Sequence, residues 1–211
     1  MPGHPIFAAV YDRLLAANED AGLCVIRAEL LGSARGRTLE VGAGTGLNLK
    51  HYTDAVTELV LTEPDPHMTK RLRRTLTACP PPVSAVQVVN AGAEDLPFDD
   101  ARFDTVVCTM VLCSVPQPRR AVTEVRRVLA PGGRLLFIEH VRDREGTRRS
   151  RWQDRVERPW GRLLGGCHPN RETGRLIADA FDVPEPRLGE MPGDDPITGL
   201  MKPLISGEAQ R

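Results

Sequence analysis

The chain has 211 residues, 41% of them hydrophobic, enough for one sizeable core and little more than one domain needs. Lys+Arg and Asp+Glu are both 28, so overall charge points neither to nucleic acid nor to an acidic tail. No run approaches the ~18 consecutive apolar residues of a bilayer span, and the N-terminus lacks the order of a secretory signal, so a single cytoplasmic domain is expected.

Residues 5–31 have the periodicity of one or two amphipathic helices, within a helical cap expected over 1–35. From Thr38 to Glu139, short β-branched or aliphatic runs alternate with longer helical segments, the signature of a parallel sheet with crossover helices. The predicted strands are Thr38–Val41, Glu58–Thr62, Ala85–Val89, Phe103–Cys108 and Arg134–Glu139. Between the last two, residues 118–129 carry an apolar stripe at 121, 122, 125, 128 and 129, and Pro131-Gly132-Gly133 ends that helix. Beyond the core, 141–211 reads as a helical lid with C-terminal edge strands. Within it, Gly146–Leu164 and Arg171–Phe181 are expected to be helices. A proline- and aspartate-rich stretch, Pro184–Pro196, precedes an expected edge strand over Ile197–Leu204. The cysteines, Cys24, Cys79, Cys108, Cys113 and Cys167, form an odd set with no C-x-x-C pair and no histidine at zinc-ligand spacing, so neither disulfides nor a metal site is expected.

The strongest local signal is Thr38-Leu39-Glu40-Val41-Gly42-Ala43-Gly44-Thr45-Gly46, an apolar strand running into three glycines at alternate positions. Glycine lets the backbone approach a ligand closely. A dinucleotide loop spaces its glycines G-x-G-x-x-G and sets a pyrophosphate on a helix N-terminus. Here the third glycine comes one residue early and an acid, Glu40, precedes the first; that acid would repel a pyrophosphate but could accept from an ammonium. The second strand ends at Glu63, placed to bind ribose hydroxyls or, on the plainer reading, to serve a helix start, although Asp65 before Pro66 suits that role better. After the third strand comes Ala93-Glu94-Asp95-Leu96-Pro97-Phe98, a polar loop with one aromatic.

These elements, followed by Leu129-Ala130-Pro131-Gly132-Gly133-Arg134-Leu135, closely resemble the class I S-adenosylmethionine-dependent methyltransferases, especially the ubiquinone/menaquinone branch. The resemblance implies a Rossmann-like α/β fold: a seven-stranded, mostly parallel sheet with an antiparallel last strand. It implies S-adenosylmethionine as cofactor, S-adenosylhomocysteine as product, and no metal. The cofactor set it implies is Glu40, Gly42, Ala43, Gly44, Gly46, Asn48, Glu63, Pro64, Met68, Ala93, Glu94 and Thr109. In that set the glycines line the methionine and ribose portion, Glu63 holds the ribose, and Ala93 and Glu94 flank the adenine. Gly92 stands where the family often has aspartate. A narrower resemblance, carried by residues 108–115, 124–129, 139–141 and by Gly166-Cys167 with Arg171-Glu172, is to the animal methyltransferase-like alkyl-thiol methyltransferases. Those relatives have a hydrophobic N-terminal membrane segment not seen here, and His168-Pro169-Asn170 departs from their pattern.

Methyl transfer from a sulfonium needs orientation more than side-chain chemistry. Two readings stand for His140, at the end of the fifth strand: a general base for the acceptor, or a residue that orients the loop beside Glu139. Tyr11, Leu112 and His168 are the remaining candidates for an acceptor pocket. Cys113 is not expected to be a nucleophile. The expected acceptor is a small molecule, a thiol on the narrower resemblance, with O- or C-methylation of a hydrophobic metabolite or quinol as the alternative. Three rivals remain: a nucleic-acid methyltransferase using the arginine-rich 142–162 with Trp152 and Trp160, a non-catalytic S-adenosylmethionine-binding regulator, and a nicotinamide oxidoreductase. Against the first, an amphipathic lid whose tryptophans pack on the sheet explains the same residues.

Overall fold

Alternating apolar runs and helical stripes build a seven-stranded sheet in the order β3-β2-β1-β4-β5-β7-β6. The computed structural model describes residues 5–183 and 186–211. The strands are β1 (Gly36–Val41), β2 (Val56–Thr62), β3 (Val86–Val89), β4 (Phe103–Thr109), β5 (Leu129–His140), β6 (Arg187–Glu190) and β7 (Pro203–Gln210). The first five pair in parallel. β7 lies between β5 and β6 and runs antiparallel to both, so the sheet carries the antiparallel last strand that was expected.

Period-two alternation sends neighbouring residues to opposite faces. Val106 and Cys108 of β4 and Leu135 and Phe137 of β5 face one core layer with Val122 and Val125 of α4 (Pro118–Val128). Val107 and Leu136, between them, face the other layer with Leu31 of α2 (Cys24–Leu31) and Leu72 of α3 (Pro66–Ala78). Both faces are therefore covered, which is why these strands read as near-continuous hydrophobic runs. Asp65 caps α3 by accepting from the His67 and Met68 amides, with Pro66 in the first turn, as its sequence suggested.

The N-terminal cap is two helices, α1 (Pro5–Asn18) and α2, joined through a π-turn in which Gly22 takes φ +128°. Its expected start at residue 1 lies outside the described residues. α5 (Arg148–Leu163) and the short α6 (Thr173–Ala178) are the two helices expected over Gly146–Leu164 and Arg171–Phe181. The C-terminus differs from expectation. Residues 197–201 belong to α7 (Pro196–Met201), capped by Asp195, and the strand runs from Pro203 to Gln210. The Asp195 carboxylate accepts from the Ile197 and Thr198 amides, and this cap outweighs the β-propensity of the short apolar run. A further C-terminal edge strand was expected, but the position of β6 was not; its four residues are all exposed, so no buried face writes an alternating pattern. Of the proline-rich stretch, residues 184 and 185 lie outside the described residues. Among the described residues, no helix is long and apolar enough to cross a membrane.

Candidate active site

β1 and β4 are neighbours whose connections leave toward opposite sides of the sheet, and such a switch point opens a crevice at the carboxyl ends of the strands. The loop from β1 enters it with Gly42, Gly44 and Gly46 at φ +65°, +57° and +92°. A Cβ on Gly42 would meet Val111 at 2.9 Å, and one on Gly46 would meet Leu49 and Leu72 at 2.9 and 3.0 Å. Glycine at those two positions serves close packing. A Cβ on Gly44 would come near only Tyr11, at 3.9 Å, so Gly44 turns its bare backbone to the crevice.

Tyr11, Glu40, Gly42, Ala43, Gly44, Asn48 and Thr109 share one cleft with Arg27, Thr45 and Leu47. The rest of the expected cofactor set stands around it or faces elsewhere. Gly46 points into the core, Pro64 is exposed, Met68 is buried on α3, and Ala93 belongs to the core layer under α4. Glu94 accepts from the Gln117 amide at 3.2 Å, at the start of α4.

Glu40 is 2% exposed. One of its carboxylate oxygens accepts from the Asn48 amide at 2.9 Å and the other from the Tyr52 hydroxyl at 2.7 Å. Asn48 also donates to Thr109 Oγ1 and accepts from the Arg27 guanidinium, which pairs with Glu19. Burial pushes the Glu40 carboxyl up to about 7, with the Tyr52 and Asn48 hydrogen bonds opposing it. Neither Arg27 nor Tyr52 was singled out from sequence. The signal was Glu40 itself, since an acid in an apolar strand must find partners.

Glu63, also buried, accepts from the Gly44 amide and the Asp65 amide, both at 2.9 Å. Burial raises its pKa, and those two backbone hydrogen bonds hold it back. The geometry discriminates between ligands. The glycine-loop N–H that a dinucleotide site would offer to phosphate is occupied by a carboxylate, so a pyrophosphate would meet negative charge. Ribose hydroxyls would meet free acceptor lone pairs on Glu63. α1 roofs the cleft: Asp12 accepts from Thr45 Oγ1 at 2.6 Å, and the Phe7 and Tyr11 rings meet edge-on at 5.4 Å.

Beyond β4 the chain passes through Met110, a non-glycine residue at φ +58°, a strained conformation of the kind that clusters at functional sites. Glu139 fixes the loop after Met110. Fully buried, it accepts from the amides of Val111, Leu112 and Cys113 at 2.9, 2.9 and 3.2 Å. Glu139 therefore positions this loop by its own carboxylate, whereas the sequence suggested that His140 would do so beside it. Leu112 packs in the core. His140, 1% exposed, has Nε2 3.0 Å from Cys167 Sγ. Its Nδ1 is also buried and has no hydrogen-bond partner among the described residues. The Cys113 thiol closes the group: its hydrogen bond to Cys167 raises its own pKa, with burial, and the same bond lowers that of Cys167. This cluster was invisible to spacing because its members come from three separate elements.

His168 stands apart from it, with Nδ1 2.6 Å from Glu157, although its backbone amide donates to Cys113 O at 2.9 Å. Trp160 turns Nε1 toward Cys167 Sγ at 3.4 Å. Trp152 does not pack on the sheet as expected: it is exposed, with the Arg155 guanidinium 5.1 Å from its ring centre.

A methyltransferase-domain model matches residues 39–137. The thiol S-methyltransferase TMT1B of Rattus norvegicus is 37% identical over 142 residues, 67% of this chain and 58% of that protein. The human thiol S-methyltransferase TMT1A is 32% identical over 174 residues, covering 82% and 71%. Among solved structures, the N-methyltransferase NodS of Bradyrhizobium japonicum, in complex with S-adenosylhomocysteine, superposes with a TM-score of 0.63 at 17% identity, covering 92% of this chain and 86% of that one. At that identity the likeness concerns the fold. The chain thus spans a little over half the length of the rat relative it matches.

Proposed function

The chain belongs to the class I S-adenosylmethionine-dependent methyltransferase family, and we propose that it transfers the methyl group of S-adenosylmethionine to a small thiol. The observation that carries the cofactor assignment is the glycine loop with its Gly44 amide held by buried Glu63: it disfavours phosphate and leaves carboxylate lone pairs for hydroxyls. Glu63 is the ribose-binding residue in this reading. The backbone around Gly44 accepts the amino-acid end, with Glu40 and its hydrogen-bonded partners as the acidic wall. Ala93 and Glu94 stand at the adenine side, and Tyr11 covers the cleft.

The cofactor, when bound, supplies an activated methyl group on a sulfonium. The protein's own work is then orientation and exclusion of water. Glu139 and the loop it holds set the wall of the acceptor side, and α1 shuts the cleft from above. The thiol acceptor is supported by two thiol S-methyltransferases among the relatives. The sequence at the end of β4, Thr109-Met110-Val111-Leu112, stands in place of the asparagine/aspartate-proline-proline-aromatic motif of amino-group methylation and suits thiol, hydroxyl or carbon acceptors alike. In the arginine-rich segment Arg149 of α5 pairs with Asp143, and Arg142 before the helix pairs with Asp154, which supports an ion-paired surface helix over a phosphate-binding face.

Isothermal calorimetry tests the cofactor site. Glu63→Ala should weaken S-adenosylmethionine binding by ~10- to 100-fold, the effect of removing hydrogen bonds to a charged group. Unchanged affinity in a folded variant would mean that the cofactor lies elsewhere.

A further inference from the structure

Three soft or borderline donors meet in the interior beyond the carboxyl ends of β4 and β5: Cys113 after β4, His140 at the end of β5 and Cys167 after α5. Their ligating atoms all lie within 4.8 Å of one another, and all three residues are buried. Zinc with Zn–S of about 2.3 Å and Zn–N of about 2.0 Å needs donor–donor separations of roughly 3.5 Å between sulfur and nitrogen and roughly 3.8 Å between sulfurs for a tetrahedron. The His140–Cys167 separation of 3.0 Å would need to open by about half an ångström. We propose that Cys113, His140 and Cys167 form a three-ligand zinc site whose open fourth position takes the sulfur of the acceptor. The second half rests on the thiol reading above; the metal site itself does not.

Donor chemistry selects the ion. Two thiolates and an imidazole suit zinc rather than magnesium or calcium. Three protein ligands with a vacant position are the pattern of reactive sites, and four that of structural ones; among the described residues no fourth His, Cys, Asp or Glu joins the group. The surroundings supply the outer hydrogen bonds that steady metal thiolates. Trp160 Nε1 donates toward Cys167 Sγ, and Ser114 Oγ lies 3.4 Å from Cys113 Sγ. His140 Nδ1 is buried and has no hydrogen-bond partner among the described residues.

Placement joins the group to the cofactor cleft. Gly165, two residues before Cys167, lies so close to Phe7 that a Cβ there would fall 2.5 Å from the ring. Phe7 meets Tyr11 edge-on, and Tyr11 covers Gly44. One helix therefore roofs both places. On ligation the acceptor thiol loses its proton to solvent and its sulfur becomes a thiolate at neutral pH. That sulfur forms its bond to the methyl carbon as the carbon–sulfonium bond breaks, and the electron pair of the broken bond stays on the homocysteine sulfur. The methyl thioether, a neutral and weaker ligand, then leaves to water.

The test uses the purified full chain, reduced and stripped of metal, then titrated with zinc against a chromophoric chelator and, separately, with cobalt(II). Expected are one tightly held zinc per chain and thiolate-to-cobalt absorption with the intense visible bands of tetrahedral cobalt. Affinity should drop at least tenfold in both Cys167→Ser and His140→Gln and stay unchanged in Cys79→Ser, an exposed cysteine. Adding a small alkyl thiol should shift the cobalt bands. Thermal melts of the metal-free variants separate lost ligation from lost folding, and Cys167→Ser, in a loop, is the variant least exposed to that confusion. No zinc uptake by the reduced wild type would overturn the site. Metal binding with cobalt bands indifferent to thiols would overturn the acceptor position. Failure of the thiol reading shows separately, as absence of methyl transfer by protein that does bind zinc.

Discussion

Glu139 has no freedom in this fold: three backbone amides of the loop after β4 end on its carboxylate. Replacing it by alanine leaves those donors buried without an acceptor, at about 1–3 kcal/mol each when unsatisfied. Urea denaturation should show Glu139→Ala losing about 3 kcal/mol or more and Glu139→Gln, which keeps one acceptor oxygen, losing distinctly less. A loss below about 0.5 kcal/mol for the alanine variant would mean that the loop is held by other contacts. At this scale the sequence was partly legible. Glu63 was found because an acid at the end of the second strand of such a sheet has a positional meaning. Arg27 and Tyr52 were not found: their role depends on a buried Glu40 that Tyr52 reaches directly and Arg27 reaches through Asn48. The trio Cys113, His140 and Cys167 escaped for the same reason, since tertiary convergence leaves no trace in spacing.

The glycine loop shows what an element encodes. Its pattern of small residues was plain in the sequence, but the division of labour within it was not. Gly46 answers to Leu49 and Leu72, whereas Gly44 answers to the open cleft. Gly46→Ala should destabilise the protein by about 1–3 kcal/mol, through overpacking and the strain of φ +92°. Gly44→Ala should cost about 1 kcal/mol for its left-handed backbone and act chiefly on cofactor affinity. Thermal melts beside calorimetry separate the two, and equal losses of stability with no difference in S-adenosylmethionine binding would contradict this division. The five parallel strands and α4 were legible because each packs at least one face against the core, β3 through half-buried Val86 and Val88, and so writes a period of two or 3.6. β6 and α7 were not, the first having no buried face and the second being set by the Asp195 cap and not by the propensity of its apolar residues.

For the whole molecule, the chain of hydrogen bonds through Arg27, Asn48, Glu40 and Tyr52 ties the N-terminal cap to the sheet. The Glu40 carboxyl sits at about 7, above its ordinary 4.5, because burial penalises the charged form. A raised carboxyl favours folding when protonated. That contribution is complete below about 4.5 and is lost as pH rises through about 7. Ligand-free protein should therefore lose urea stability between about pH 5 and about pH 8, and Glu40→Gln should flatten the slope. Identical slopes for the two proteins would show that Glu40 is already ionised throughout. The measurement that bears most directly on function is transfer of isotope-labelled methyl from S-adenosylmethionine to a small alkyl thiol, with phenols and quinols run alongside. Labelled methyl thioether with equal S-adenosylhomocysteine, lost in Glu63→Ala, is the expected result. Label reaching only phenols or quinols would contradict the thiol acceptor, and binding with no transfer to any of them would contradict the methyltransferase itself.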